Sequence, residues 1–173
     1  SASSGLRLLL TPALLQQLKA DHEAAAALCL NVGTSCKELH EAEMVQWVNK
    51  GLSAANLGTL GKLGSVLPAL ETLVLLESSG AADPDGVQRL AEGLCAGALP
   101  AVTFLAFFAN VHVGDAGASA LAAALSRGAL PQLENLALSN SAIGDAGLVA
   151  LAPALRRLPA LVRLDLRDSP LGD

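Results

Sequence analysis

From residue 67 onward one pattern returns four times, and a chain with such a period has few folds open to it. A Leu-Pro pair opens each copy, with prolines at 68, 100, 131 and 159, spaced 32, 31 and 28 residues apart. Self-similarity at that period marks a stacked array, in which one unit buries its apolar edge only against the next. The fullest copy runs from Leu133 to Leu155, LENLALSNSAIGDAGLVALAPAL. Leu133, Leu136 and Leu138 stand at the spacing L-x-x-L-x-L, and period-2 burial predicts a short strand there. Ser141 takes a polar slot at the turn, where freed backbone N–H groups need partners. Ile143 completes the buried set, and Gly144-Asp145-Ala146-Gly147 follows. Leu148, Leu151 and Leu155 then recur at helical spacing.

The other copies fill the same slots. Val102, Leu105 and Phe107 lead to Asn110, Val113 and Gly114-Asp115-Ala116-Gly117, then to Leu121 and Leu125. Leu70, Leu73 and Leu75 lead to Ser78, Gly86, Leu90 and Leu94. Leu161, Leu164 and Leu166 lead to Ser169, Leu171 and Gly172-Asp173, where a further helix would begin. An array ending on a bare strand leaves an apolar layer uncovered, so a longer chain or a covering partner is expected there.

These residues, above all LENLALSNSAIGDAGLVALAPAL and LVRLDLRDSPLGD, resemble the leucine-rich repeat of the ribonuclease-inhibitor type. Ran GTPase-activating proteins and NOD-like receptors share that repeat, and the likeness covers residues 67–173. The pattern departs from the family in two places. Serine stands in three of the four polar slots where Asn or Cys is usual, and one extra residue separates Asn110 from Gly114. The wording around GDAGLVALAPAL is also similar to large families of algal repeat proteins. The resemblance implies an α/β leucine-rich repeat solenoid, right-handed, with a parallel sheet on the concave side and helices on the convex side. About three and a half units are expected.

The first 66 residues read less plainly. Thr11-Pro12 is a helix start, since Thr can cap and Pro needs no N–H at the first helical position. Leu14, Leu15, Leu18 and the alanines that follow predict a helix over 12–24. Leu28–Val32 reads as a first strand, Gly33-Thr34-Ser35 as a turn, and Cys36–Lys50 as a second helix carrying Leu39, Val45 and Val48 with Trp47 near them. Residues 53–66, SAANLGTLGKLGSV, read as an irregular Gly-rich insertion. The chain is therefore expected to divide into an N-terminal helical cap with a divergent first repeat and a Gly-rich insertion, 1–66, and the repeats, 67–173.

Composition bounds the function. Hydrophobic residues make up 52% and aromatics only 2%, as thin layers of small aliphatic side chains require. The net charge of −5 and the pI near 5.1 argue against a nucleic-acid partner, which needs clustered Lys and Arg. Mean hydropathy is +0.48, yet no apolar run reaches the ~18 residues that span a bilayer. Cys29, Cys36 and Cys95 are odd in number, lie at no metal-ligand spacing, and read as buried free thiols.

Several stretches mimic chemistry. Gly58–Ser65 suggests a phosphate loop, but only two residues separate Gly58 from Gly61-Lys62 where four are required, and Leu63 follows Lys62 in place of Ser or Thr. His40-Glu41 has Met44 where a zinc protease needs its second His, and His22 and His112 stand alone. Asp115 and Asp145 share one slot, and a recurring position argues for a recurring structural duty. Each is expected to cap the helix it precedes. No cofactor, metal or catalytic set emerges, and the chain reads as non-enzymatic.

What remains is the sheet face turned away from the leucines. Strand side chains alternate, so Thr72, Phe104, Asn135 and Arg163 form one column across the sheet. Val74, Ala106, Ala137 and Asp165 form a second, and Leu76, Phe108, Ser139 and Arg167 a third. An apolar patch rimmed by charge is what a protein-binding surface looks like. Thr72, Val74, Leu76, Phe104, Ala106, Phe108, Asn135, Arg163, Asp165 and Arg167 are therefore the candidate contacts to a protein partner. The N-terminal helix or the 53–66 segment folding over this face is the plain alternative. A structural subunit inside a larger assembly and, by resemblance, a GTPase-activating role are the rival functions. Partner, compartment and pathway stay open.

Overall fold

Among the described residues, 11–77, 85–109, 113–139 and 142–168, the computed structural model holds five strands in one parallel sheet. They are β1 (Met44–Val48), β2 (Thr72–Glu77), β3 (Phe104–Ala109), β4 (Asn135–Ala137) and β5 (Arg163–Asp165), and they lie side by side in chain order. Parallel neighbours need a crossover connection. Helices supply it: α3 (Ala54–Leu63) after β1, α4 (Gly86–Gly93) after β2, α5 (Gly114–Ser126) after β3 and α6 (Asp145–Arg156) after β4. Each of these helices packs on the next.

The leucine spacing sets the register. Leu73 pairs with Leu105, Leu105 with Leu136, and Leu136 with Leu164. Leu73, Leu75, Leu105, Phe107, Leu136 and Leu138 all point into one core with Val87, Leu90, Leu121 and Leu151 of the helices. Of the five residues expected at the centre of the fullest copy, Leu136, Leu138, Ile143 and Leu151 are buried. Leu155 is half-buried against the same core. The Leu-Pro pairs mark where the chain turns down into the next strand. Leu99 and Leu130 both adopt left-handed backbone, at φ 51° and 54°. Both are buried, and their N–H groups donate back to Gly64 O at 2.8 Å and Ala98 O at 3.0 Å, tying each unit to the one before.

The N-terminal reading needs correction. The first helix, α1 (Pro12–Val32), does start as expected, with Leu14 N–H donating to the Thr11 hydroxyl at 3.2 Å. It does not end at 24. Leu28, Cys29 and Val32 are its buried residues, a helical i, i+1, i+4 set, while Leu30 is 84% exposed. A strand would have put Leu28 and Leu30 on one face. Gly33 ends α1 at φ 77°, and α2 (Cys36–Glu41) starts at once with a Ser35–Glu38 capping box. The expected helix over 36–50 stops at Glu41. Beyond it Met44–Val48 alternates outward and inward, and Val45 and Trp47 enter the core as β1. Residues 54–63, read as an irregular insertion, are α3, closed by a 3-10 turn at Gly64–Val66.

The glycines that suggested a loop serve helix packing. A Cβ at Gly61 would run into the Leu90 carbonyl oxygen, and one at Gly93 would lie 2.9 Å from Lys62 N. Helices α3 and α4 therefore meet backbone to backbone. Ser78, Asn110, Ser141 and Ser169, read as polar turn slots, lie outside the described residues, as do His112, Leu171 and Gly172-Asp173.

Candidate binding surface

Pairing places the expected columns side by side. Thr72 pairs with Phe104, Phe104 with Asn135, and Asn135 with Arg163. Val74, Ala106, Ala137 and Asp165 line up in the same way, and Leu76 pairs with Phe108. Ser139 and Arg167 lie past the ends of β4 and β5, so the third column stops being a strand column after Phe108. The strand residues among them project from the face opposite Leu73, Leu105 and Leu136, because strand side chains alternate.

That face has an apolar centre and a polar end. Thr72, Val74, Leu76, Phe104 and Phe108 are half-buried, and Asn135 is likewise half-buried beside them. Ala106 is fully buried. Its methyl group sits between Phe104 and Phe108 along the strand and Val74 across it, so it forms the floor of the surface and presents nothing to a partner. Arg163 and Arg167 are exposed. Arg167 grips Asp165 in a bidentate pair, with Nε 3.0 Å from Oδ1 and Nη2 2.8 Å from Oδ2. The guanidinium, helped by the Arg167 backbone N–H at 3.1 Å, holds the Asp165 carboxyl well below the usual carboxylate range.

The first strand extends the face in a way the sequence reading missed. Met44 pairs with Thr72, Gln46 with Val74 and Val48 with Leu76. Met44 is 65% exposed, and Val48 and Gln46 are exposed beside it. The signal was present: Val45 precedes Leu73 by 28 residues, and Leu52 follows Trp47 at the distance that separates Ile143 from Leu138. Helix α1 does not cover this surface. It packs on α3 and α2, and α3 belongs to the helical layer on the other side of the sheet.

The remaining candidates have structural settings. Gly58 to Leu63 lie inside α3, so their N–H groups serve the helix and cannot cradle a phosphate. His22 is exposed, and His40 Nδ1 lies 2.7 Å from Val66 O. Cys29 is buried as expected, but Cys36 and Cys95 are exposed. Among the described residues no group of three or more His, Cys, Asp or Glu is set to hold a metal ion. No described helix is long and apolar enough to cross a membrane.

Asp115 does cap a helix, though not its own. Its Oδ1 accepts from Gly144 N at 2.8 Å and Gly147 N at 2.9 Å, the first turn of α6 one unit later. A Cβ at Gly147 would lie 2.7 Å from that oxygen, which explains the second glycine of the GDAG motif. Arg127 works in the opposite direction. Its Nη2 donates to Leu94 O at 3.0 Å and Ala91 O at 3.2 Å, capping the end of α4 one unit earlier.

The leucine-rich repeat family model matches residues 130–152, which span β4 and most of α6. The match supports a leucine-rich repeat protein, a class whose members generally mediate protein–protein interaction and are typically non-enzymatic. No curated protein matches the chain.

Proposed function

We propose that this chain is a leucine-rich repeat solenoid of the ribonuclease-inhibitor type that binds another protein through the open face of its sheet. The observation that carries this reading is the half-buried apolar row Val74, Leu76, Phe104 and Phe108 on the face opposite the leucine core. Two of the three phenylalanines of the chain stand there, and the third, Phe107, points into the core. Aromatic side chains are costly to leave in water and are the usual anchors of an interface. Arg163 and the Asp165–Arg167 pair rim the patch at one end, where charge tunes encounter rate and partner choice more than affinity. Met44, Gln46 and Val48 extend it at the other. The binding set is thus Thr72, Val74, Leu76, Phe104, Phe108, Asn135, Arg163, Asp165 and Arg167 over the Ala106 floor, acting without a cofactor.

The test is affinity capture from an extract of the source cells with the wild type and with Phe104→Ser/Phe108→Ser. The double variant is expected to keep its melting temperature and lose the captured protein. If it folds and still captures that protein, the open face is not the site. A second reading rests on α1. Thr11 to Glu23 holds no buried residue, and Leu14, Leu15 and Leu18 are 41%, 44% and 52% exposed. A structural subunit held in a larger assembly would use that apolar stretch, and Leu14→Ser/Leu18→Ser would then release the partner while the phenylalanine pair would not.

A further inference from the structure

Cys29 and Cys36 face each other across the corner between α1 and α2, with their sulfurs 2.7 Å apart. A disulfide spans about 2.05 Å, so the two sulfurs already stand close to bonding distance. Both sides of the corner are fixed. Gly33 N and Thr34 N each donate to Cys29 O at 3.0 Å, which anchors the last turn of α1. Ser35 N donates to Glu38 Oε2 at 2.8 Å, and Glu38 N to Ser35 Oγ at 3.1 Å, which anchors the first turn of α2. The two thiols also differ in access: Cys36 is exposed and Cys29 is 4% exposed.

We infer that Cys29 and Cys36 form a reversible disulfide site that takes a low-molecular-weight disulfide as its oxidant. The thiolate of Cys36, the sulfur that solvent reaches, attacks one sulfur of the small disulfide. That bond breaks, one small thiolate leaves, and Cys36 carries a mixed disulfide. Cys29 then loses its proton and attacks Cys36 Sγ. The Cys29–Cys36 bond forms, the mixed disulfide breaks, and the second small thiolate leaves. Two protein thiols are oxidised, one small disulfide is reduced to two thiols, and the two protons pass to the departing sulfurs. The order of the steps follows from burial, which pushes the Cys29 thiol up to about 12, with the neighbouring Cys36 thiol adding to the rise. Once Cys36 carries the mixed disulfide its thiol contribution is gone, and the resolving sulfur is freed in part. Closure would lock α1 against α2 and hence against the first unit of the sheet.

The test uses the full chain with Cys95→Ser, which removes a bystander that is exposed. The protein is equilibrated with glutathione and glutathione disulfide at graded ratios, then alkylated and weighed intact. Alkylatable thiols are expected to fall from two to none, with a mass loss of two hydrogens and no glutathionyl adduct. Dithiothreitol should restore both, and peptide mapping of the oxidised wild type should link Cys29 to Cys36. The added Cys29→Ser change should stop the reaction at one glutathionyl group on Cys36. Two free thiols persisting in pure glutathione disulfide, a stable adduct on the Cys95→Ser protein, or a wild-type bond to Cys95 would overturn the site.

Discussion

The unit around β1 and the unit around β4 hold equivalent places in one sheet, yet their sequences share almost no residues. Where β4 and the residue after it bring Leu136 and Leu138, with Ile143 five residues on, β1 brings Val45 and Trp47, with Leu52 five residues on. Where α6 meets α5 through Asp115 and the glycine at 147, α3 meets α4 through Gly61 and Gly93. The architecture asks for alternation in the strand, a filled core volume and one close helix contact. Leucine is only the commonest way to supply them.

If the β1 unit is as integral as that comparison says, truncating its core should hurt as much as truncating a repeat's. Trp47→Ala and Phe107→Ala are each expected to lose about 3–5 kcal/mol in denaturant unfolding, as large buried rings do. A loss for Trp47→Ala below about 1 kcal/mol would make residues 44–66 an appendage.

The helix contacts sharpen the comparison by sign. Gly61→Ala places a methyl group against the Leu90 carbonyl and is expected to destabilise by about 1–3 kcal/mol. Gly58→Ala, one turn earlier, makes ordinary contacts with the Arg89 Cβ at 3.5 Å and the Arg89 carbonyl oxygen at 4.0 Å and should stabilise by about 0.5–1 kcal/mol through helix propensity. Equal effects would mean the two helices do not touch as described. Asp115→Ala should cost about 0.5–2 kcal/mol, and amide exchange should rise at Gly144 and Gly147 in the next unit while α5 is spared. Protection lost in α5 instead would return the cap to its own helix.

The smallest effect is expected at the far end of the sheet. Asp165 is held ionised by Arg167, so its carboxyl should titrate below the usual ~3.9 and move up in Arg167→Ala. The sign follows from the lowered value: the pair's contribution is full above the unfolded carboxylate range and fades as pH falls through the folded one. Carboxyl NMR shifts would read it, and an unmoved midpoint would remove Arg167 as the cause.

The regions differ in how far their sequences disclose them. For β2 to β5 the L-x-x-L-x-L spacing placed each strand and its register, because every second side chain there is a large aliphatic or Phe107. The alternation along β3 was legible for the same reason, down to Phe104 and Phe108 on the face opposite Phe107. At 28–32 apolar residues run together, and a short run reads equally as strand or helix. Burial of Leu28, Cys29 and Val32 against α1's neighbours decided it, a tertiary fact. At 44–48 the helical spacing of Leu39, Val45 and Val48 hid a period of two. At 54–63 the glycines looked like a loop because their reason, a neighbouring helix, is not written locally. Asp115 was recognised as a cap, but its target is a unit away, which spacing within one copy cannot reveal.

The measurement that bears most directly on the open face is hydroxyl-radical footprinting of the free chain and of its complex with the captured partner. In the free chain Met44, Phe104 and Phe108 are expected to oxidise, while Trp47 and Phe107 stay silent. In the complex Phe104 and Phe108 should become protected, with Leu14, Leu15 and Leu18 unchanged. Phenylalanines at 104 and 108 as silent as Phe107 in the free chain, or protection confined to the start of α1, would contradict the account.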